Sequence, residues 1–286
     1  MPLSPIQAEV LRLTAGNRSK ESHLAGASGI HMSPEAMRIS HDLDLFHDSE
    51  KAVADAYARD APILLENGFQ IDVALSQPGF IRAHVSKGDD RVLIDWARDS
   101  IWRFLEPIRL EEVGYVLHPV DLAVNKALAL AGRDEARDFL DTIYLHQNVL
   151  PLGALVWAAC GKDPGLNPSM LLELLKRKGL ISREEMRRLD LQTDLDLDGI
   201  HAVWKGALQE AAIWIGQRPP EEAGCLYSDP NTGLFFAPAN DEAAETIRGK
   251  PGGVVPRIHG IADKSYLESP QQRQAIKSFF QRELVE

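Results

Sequence analysis

Cysteine is nearly missing from this chain. Cys160 and Cys225 are the only two in 286 residues, which excludes a disulfide framework and a cysteine-built zinc site. Cys160 falls in an apolar helical stretch and Cys225 in a strand-like one, where a thiol is expected to be inert. No run approaches the ~18 uninterrupted apolar residues of a membrane span. The start, MPLSPIQAEV, has neither the basic lead nor the apolar run of a secretory signal, so the expectation is a cytoplasmic protein without a membrane. Positive charge is also in deficit: 31 Lys and Arg against 42 Asp and Glu give a formal net charge of −11. That balance repels polyanions at long range and disfavours non-specific nucleic-acid binding by the whole surface. A local patch escapes the argument, and Lys176-Arg177-Lys178 with Arg183, Arg187 and Arg188 is the candidate for RNA, although a solvated helix face is the simpler reading. There is no GxSxG elbow and no P-loop, which argues against a serine hydrolase and a Walker-type NTPase. The nine histidines show no paired ligand spacing. Asp194-Leu195-Asp196-Leu197-Asp198-Gly199 imitates half a calcium loop, but the twelfth position is Lys205 where a bidentate glutamate is required; a helix N-terminus is the better reading.

What is present is an ordinary globular composition, 44% hydrophobic and 26% charged, enough for one large domain or two smaller ones. The texture changes twice. Residues 5–118 mix helix and strand, 119–217 are almost purely helical, and the stretch after Arg218-Pro219-Pro220 is rich in Pro and Gly. The first part reads as a helix over 5–14, a short strand at 22–25 ending in Gly26-Ala27-Ser28-Gly29, a loop carrying Pro34, and a strand over 39–47. A helix capped by Ser49 and stopped by Gly68 follows, then strands at 69–75, 80–86, 91–97 and 113–117. Helices are expected at 119–130, 133–147, 152–159, 168–178 and 198–216. In the tail, 225–227 and 234–236 read as a hairpin about Asp229-Pro230-Asn231-Thr232-Gly233, before a closing helix at 271–284. The order predicts an α+β fold: a mixed-sheet domain over 1–118, a helical bundle domain over 119–218, and a hairpin-and-helix extension over 219–286.

The chemistry concentrates in one strand. Asp42 and Asp44 flank Leu43, and residues two apart on a strand share a face. Two carboxylates ~7 Å apart do not both stay ionised cheaply without a cation between them, and Mg²⁺ takes oxygen ligands and bridges NTP phosphates. On that pair alone an exposed edge strand is the simpler reading. Asp95 shifts the balance, because it interrupts the apolar run Val92-Leu93-Ile94-Asp95-Trp96-Ala97, and a buried carboxylate is costly unless paired or metal-bound. On neighbouring strands the three acids would make a two-metal site; the alternative is an ion pair of Asp95 with Arg91 or Arg98. Upstream, Gly26-Ala27-Ser28-Gly29 lets backbone N–H groups approach a phosphate. His41 and His47 flank the acid strand and are candidates to touch a substrate, although bystander histidines are the simpler reading.

These residues resemble a known family. Leu24-Ala25-Gly26-Ala27-Ser28-Gly29-Ile30, then Arg38-Ile39-Ser40-His41-Asp42-Leu43-Asp44-Leu45, then Ile94-Asp95, are similar to the glycine turn, paired acids and third acid of the DNA polymerase β-like nucleotidyltransferases. More narrowly they resemble the AbiEii/AbiGii toxin family, with its Arg-x-Ser-x-Asp-hydrophobic-Asp signature. The likeness continues through Asp121 to Leu130, containing Lys126, and through Arg133 and Arg137-Asp138-Phe139-Leu140-Asp141. It spans residues 20–147 and leaves the tail uncovered. Ala27 stands where the family has a second glycine. The resemblance implies an enzyme that moves a nucleoside monophosphate from an NTP to an acceptor. Gly26 and Ser28 would contact the NTP phosphates, and Asp42, Asp44 and Asp95 would hold Mg²⁺. Asp95 would also help activate the acceptor, and Lys126 would neutralise phosphate charge. It further implies a bacterial toxin or abortive-infection role, tRNA or protein as acceptor, and an antitoxin partner. Read from the residues alone, Lys126 is a surface helix lysine, and Asp138 and Asp141 belong to an Arg-paired helix face. Two other readings share the chemistry: a small-molecule nucleotidyltransferase of the antibiotic-modifying kind, and a non-catalytic nucleotide-binding protein.

Overall fold

The computed structural model describes residues 3–32, 37–133, 135–179, 181–191, 196–254 and 269–285; Pro34, Asp194 and Leu195 lie outside them. Helix α1 (Pro5–Thr14) starts at a capping box, in which the Ser4 hydroxyl accepts from the Gln7 N–H and the Gln7 side chain accepts from the Ser4 N–H. Gln7 is fully buried, and its amide also donates to the Ser40 carbonyl at 2.8 Å, fixing the entry to the acid strand. Strand β1 (Ser22–Ala25) leads straight into α2 (Gly26–Ile30), then β2 (Asp42–His47), α3 (Glu50–Glu66), β3 (Gln70–Gln77), β4 (Phe80–Lys87), β5 (Asp90–Arg98), β6 (Trp102–Arg103), β7 (Ile108–Leu110) and β8 (Gly114–Val116). Seven of these strands form one sheet in the order β3-β4-β5-β2-β1-β8-β7. It is mixed: β2 runs parallel to β5 and β1 parallel to β8, and the other neighbours are antiparallel.

Alternation assigns the two faces. On β2, Leu43, Leu45 and His47 are buried while Asp42, Asp44 and Phe46 are half-buried. On β5, Val92, Ile94 and Trp96 turn to the same covered side as Leu43 and Leu45. There α3 packs, presenting Val53, Ala56 and Leu64. The helices α4 (Pro119–Gly132), α5 (Ala136–Asn148), α6 (Leu152–Lys162), α7 (Pro168–Lys178), α8 (Arg183–Arg187) and α9 (Leu197–Gly216) follow. Central α4 touches α2, α5, α6 and α7, and its buried Ala123, Val124 and Ala127 allow the close approach. Asp121 in its first turn accepts the N–H groups of Phe104 and Leu105 at 2.7 and 2.9 Å, clasping the helix to the sheet's connecting loop. The buried apolar side chains form one cluster running from Leu3 to Phe280. Among the described residues no single helix is long and apolar enough to cross a membrane; α5 and α6 meet that test only as a pair bent by 113°.

Apart from shifted ends and short elements outside the expectation, such as β6, β7 and α8, the elements differ from expectation in four places. The acid strand begins at Asp42 rather than at 39, because Ile39 is held instead by the Asp190 carbonyl. Gly26-Ala27-Ser28-Gly29 is the opening of a short helix, not a loop. The longer ladder of β9 (Cys225–Ser228) is with β10 (Glu245–Arg248), and the expected return over 234–236 is short, held by the Ser228–Phe235 bridge and by the Asp229 and Phe236 N–H groups donating to the Leu234 and Tyr227 carbonyls. The Asp229–Gly233 turn forms as expected, with Asp229 accepting from Asn231 and Thr232, but beyond it Phe235 packs edge-on against His118 at 5.8 Å. A last short pair joins β11 (Lys250–Pro251) to β6. The closing helix α10 (Pro270–Phe280) ends early, at Gln281 in the left-handed region.

One buried polar knot fixes α3 to the sheet. Asp60 is fully buried and takes Arg18 on both oxygens, Asn17 at 2.8 Å and the Trp96 indole N–H at 2.8 Å. Asp60→Ala strands the buried Arg18 guanidinium and is expected to cost about 3–5 kcal/mol. Asn17→Ala removes one hydrogen bond at a half-buried position and should cost about 1 kcal/mol. Urea denaturation of both variants tests this; equal losses would show that Asp60 is not the keystone.

Candidate active site

Parallel pairing of β2 with β5 sets Asp44 directly beside Asp95. Asp42 lies two residues before Asp44 on the same face, so the structure brings all three predicted acids together. Each carboxylate has a different environment. Asp42 accepts the Ser40 hydroxyl at 2.6 Å and has Arg137 of α5 at 3.8 Å. Asp95 is 7% exposed and carries Arg82 on both oxygens, at 2.8 and 2.6 Å. Asp44, the middle acid, has no hydrogen-bond or salt-bridge partner for its carboxylate among the described residues. Burial, then the charge of Asp42, push its carboxyl up to about 6, with Asp95 adding to the rise and Lys126 and Arg137 opposing it.

Among the described residues no group of three or more His, Cys, Asp or Glu side chains is set to hold a metal, and the Asp95 carboxylate is paired with Arg82. Neither Arg91 nor Arg98 is the partner. Residues three or four apart on a strand are separated by about 10–13 Å, whereas Arg82 is the register neighbour of Asp95 on β4.

Gly26 lies against the middle acid. With φ of +57°, its missing Cβ would stand 1.8 Å from Asp44 Oδ2. Ser28, expected at the phosphates, is fully buried: its hydroxyl donates to the Ala25 carbonyl at 3.3 Å and lies 3.5 Å from the Asp44 N–H. It shapes the turn and does not reach the cleft wall. His41 is exposed against Asp190, and His47 is buried on the covered face, so neither joins the acids.

A cleft of about 530 Å³ opens between β2 and the helices, lined on one side by Gly26, Asp44 and Phe46 and on the other by α4 and the end of α6. Lys126 lies on this wall at 7% exposure, so it is not a surface lysine. Its ammonium sits 2.8 Å from Asp138 and 2.9 Å from Asp141, both fully buried. Asp141 also takes Arg38 on both oxygens and His31 at 2.7 Å. Burial alone would raise the Asp141 carboxyl, but Lys126, His31 and Arg38 outweigh it and hold it well below the usual range. The two acids in turn raise Lys126 despite its burial, and it stays a cation. Sequence reasoning missed Arg82, Asp99 and Lys162; each meets its partner across strands or from another helix, which no spacing along the chain reveals.

No family model matches the chain, and no curated protein matches it. Among the solved structures similar to it are these two. One is JHP933 from Helicobacter pylori, at 14% identity and a TM-score of 0.46 over 73% of this chain and 90% of that one. The other is MenT4, a nucleotidyltransferase toxin from Mycobacterium tuberculosis H37Rv, at 13% identity and a TM-score of 0.43 over 72% of this chain and 91% of that one.

Two predictions follow from the crowding at Asp44. Gly26→Ala forces a Cβ into the carboxylate from a backbone conformation that already costs about 1–2 kcal/mol for alanine. The loss should be smaller in an Asp44→Ala background, where two of the three blocking atoms are gone; additivity in the double-mutant cycle would refute the contact. Second, between the unfolded value of 3.8 and about 6 the native Asp44 keeps a proton that the unfolded chain has released, so this group lowers stability as pH rises. Asp44→Asn should therefore raise stability at pH 8 by about 1–2 kcal/mol after solvent screening in an open cleft. The gain should shrink as the pH falls toward 4, as thermal melts across that range would reveal.

Proposed function

We propose that this chain is a Mg²⁺-dependent nucleotidyltransferase that moves a nucleoside monophosphate from an NTP to an RNA or protein acceptor. The observation that carries the reading is the meeting of Asp42, Asp44 and Asp95 at the wall of a cleft that also holds Lys126. The donor set fits a divalent cation at Asp42 and Asp44: both are oxygen ligands, and the charge of Asp44 has no compensating donor among the described residues. Mg²⁺ held there would draw charge from the phosphate groups.

The chain's own residues supply the rest. Gly26 has no side chain, which keeps the approach to Asp44 open for phosphate. Lys126, fixed by Asp138 and Asp141, gives the cleft a positive charge that needs no reorganisation when substrate binds. Asp95, oriented by Arg82, would take the proton from the attacking acceptor hydroxyl, with Arg82 yielding one of its two bonds and pyrophosphate leaving. Catalysis is then mostly positioning and charge neutralisation. The motif resemblance extends the reading to a toxin restrained by an antitoxin protein. The rival reading, nucleotide binding without catalysis, draws on the Arg82 clamp, which leaves Asp95 neutralised.

Incubation with each labelled NTP, Mg²⁺ and either total tRNA or cell protein tests the proposal. Label should enter one acceptor pool, and Asp42→Asn or Asp44→Asn should each lower the rate by about a hundredfold or more. Mg²⁺ should raise the melting temperature of the wild type and not that of Asp44→Asn. No label in either pool, together with retained NTP binding, would instead establish the binding protein.

A further inference from the structure

Three cations line the cleft, Lys126, Arg133 and Lys162, and they differ in what restrains them. Lys126 is held by two fully buried carboxylates, and Arg133 by one of them, with its Nε 2.5 Å from Asp138. Lys162, at the end of α6, makes one short bond, 2.6 Å, to the neutral side-chain oxygen of Asn125 on α4. The carboxylate it faces is Asp99, at 3.3 Å, longer than the 2.7–2.9 Å of a good charge-assisted bond. Asp99 is itself 33% exposed, against 11% for Lys162.

Two features turn this into a site. Lysine only donates, so the oxygen of Asn125 must face Lys162 and its NH₂ must point elsewhere. No described residue accepts from that NH₂, so an ammonium and an amide donor stand side by side on the cleft wall. Asp99, meanwhile, is anchored by its backbone, whose N–H donates to the His47 carbonyl at the end of β2, and Lys162 is the sole partner of its carboxylate among the described residues. Its side chain can swing to solvent without disturbing a strand, and a partly solvated ion pair at that distance contributes little.

We propose that Lys162 and Asn125 form a phosphate-binding subsite of the cleft, and that Asp99 is a built-in stand-in for phosphate, displaced when a polyphosphate enters. The inference rests on the reading of this cleft as a nucleotide site, and adds which residues grip the phosphate chain and what competes for them. An arriving anion both replaces Asp99 on Lys162 and repels it toward water, while Arg133 and Lys126 stay in place on the same wall. Asp99 thereby filters weak anions, because only a ligand of higher charge than a carboxylate gains from the exchange.

The test is calorimetric titration of the full chain with inorganic pyrophosphate in Mg²⁺-free buffer at fixed ionic strength. Wild type should bind, and Lys162→Gln should weaken binding by about tenfold or more, the worth of one charge-assisted bond. Asp99→Asn should tighten it by about three- to tenfold, since it removes the competitor and a repelling charge. A merely structural pair would give the opposite second result, because losing either partner would loosen the same clasp. Thermal melts check that each variant folds; if Lys162→Gln does not, the sign of the Asp99→Asn effect and recovery of affinity in Lys162→Arg decide. No binding by wild type, affinity in folded Lys162→Gln within about twofold of wild type, or weaker binding by Asp99→Asn overturns the proposal. Pyrophosphate binding that responds as stated, with no label transferred to any acceptor, would sink nucleotidyl transfer and leave the subsite standing; transfer with an unresponsive Lys162→Gln would do the reverse.

Discussion

Like charges gathered on two parallel strands are the constraint to which this molecule answers. The register that sets Asp44 beside Asp95 leaves no way to separate them short of slipping a strand, and a slip of one residue would turn Leu43 and Leu45 out of the core. Because those leucines are buried beneath α3, hydrophobic packing on one face enforces electrostatic conflict on the other. The neighbours divide the load. Arg82 neutralises Asp95, Ser40 and Arg137 attend Asp42, and only the middle acid is left with a carboxyl pushed upward. A fold that needed stability alone would not keep such an arrangement, since a neutral residue at 44 would relieve it.

Behind the cleft a second group of charges works in the opposite sense. Asp138, Asp141, Lys126, Arg38 and His31 are all buried, and for the two acids, the lysine and the arginine the attractions outweigh the desolvation that each would suffer alone. This network joins the end of α2, the approach to β2, and helices α4 and α5. The two halves of the cleft are thus tied by ionic contacts on the inner side, and by the looser Lys162–Asp99 contact on the outer side. Stiffness behind and slack in front is the distribution expected of a cleft that admits a ligand without rebuilding its walls.

What could be read in the sequence was what depends on period. Alternation around Leu43 placed Asp42 and Asp44 on one face, and an acid within an apolar run marked Asp95 as buried. Ser49 and Gly68 bracketed α3, and Pro119 and Pro168 opened their helices where expected. What escaped depends on partners far along the chain. Arg82 reaches Asp95 only after a hairpin folds β4 onto β5. Lys126 read from its helix alone is a solvated lysine, and becomes buried because α5 lays two carboxylates against it. In the tail the run Leu234-Phe235-Phe236 does turn back along β9, but briefly, and the strand that builds the longer ladder, β10, lies farther along the chain than turn spacing reveals.

The alanine at position 27 can be weighed by the same reasoning. A side chain in a phosphate turn matters only if it faces the phosphate, and the close approach here belongs to Gly26, whose φ of +57° and contact with Asp44 exclude any Cβ. Ala27 is turned the other way: it is 6% exposed, its methyl counts among the buried apolar groups, and it is not part of the cleft wall. Ser28 is likewise committed inward, between the Ala25 carbonyl and the Asp44 N–H. The turn's openness toward the acids thus rests on one residue, and a methyl at the next position, buried and absent from the cleft wall, leaves it intact.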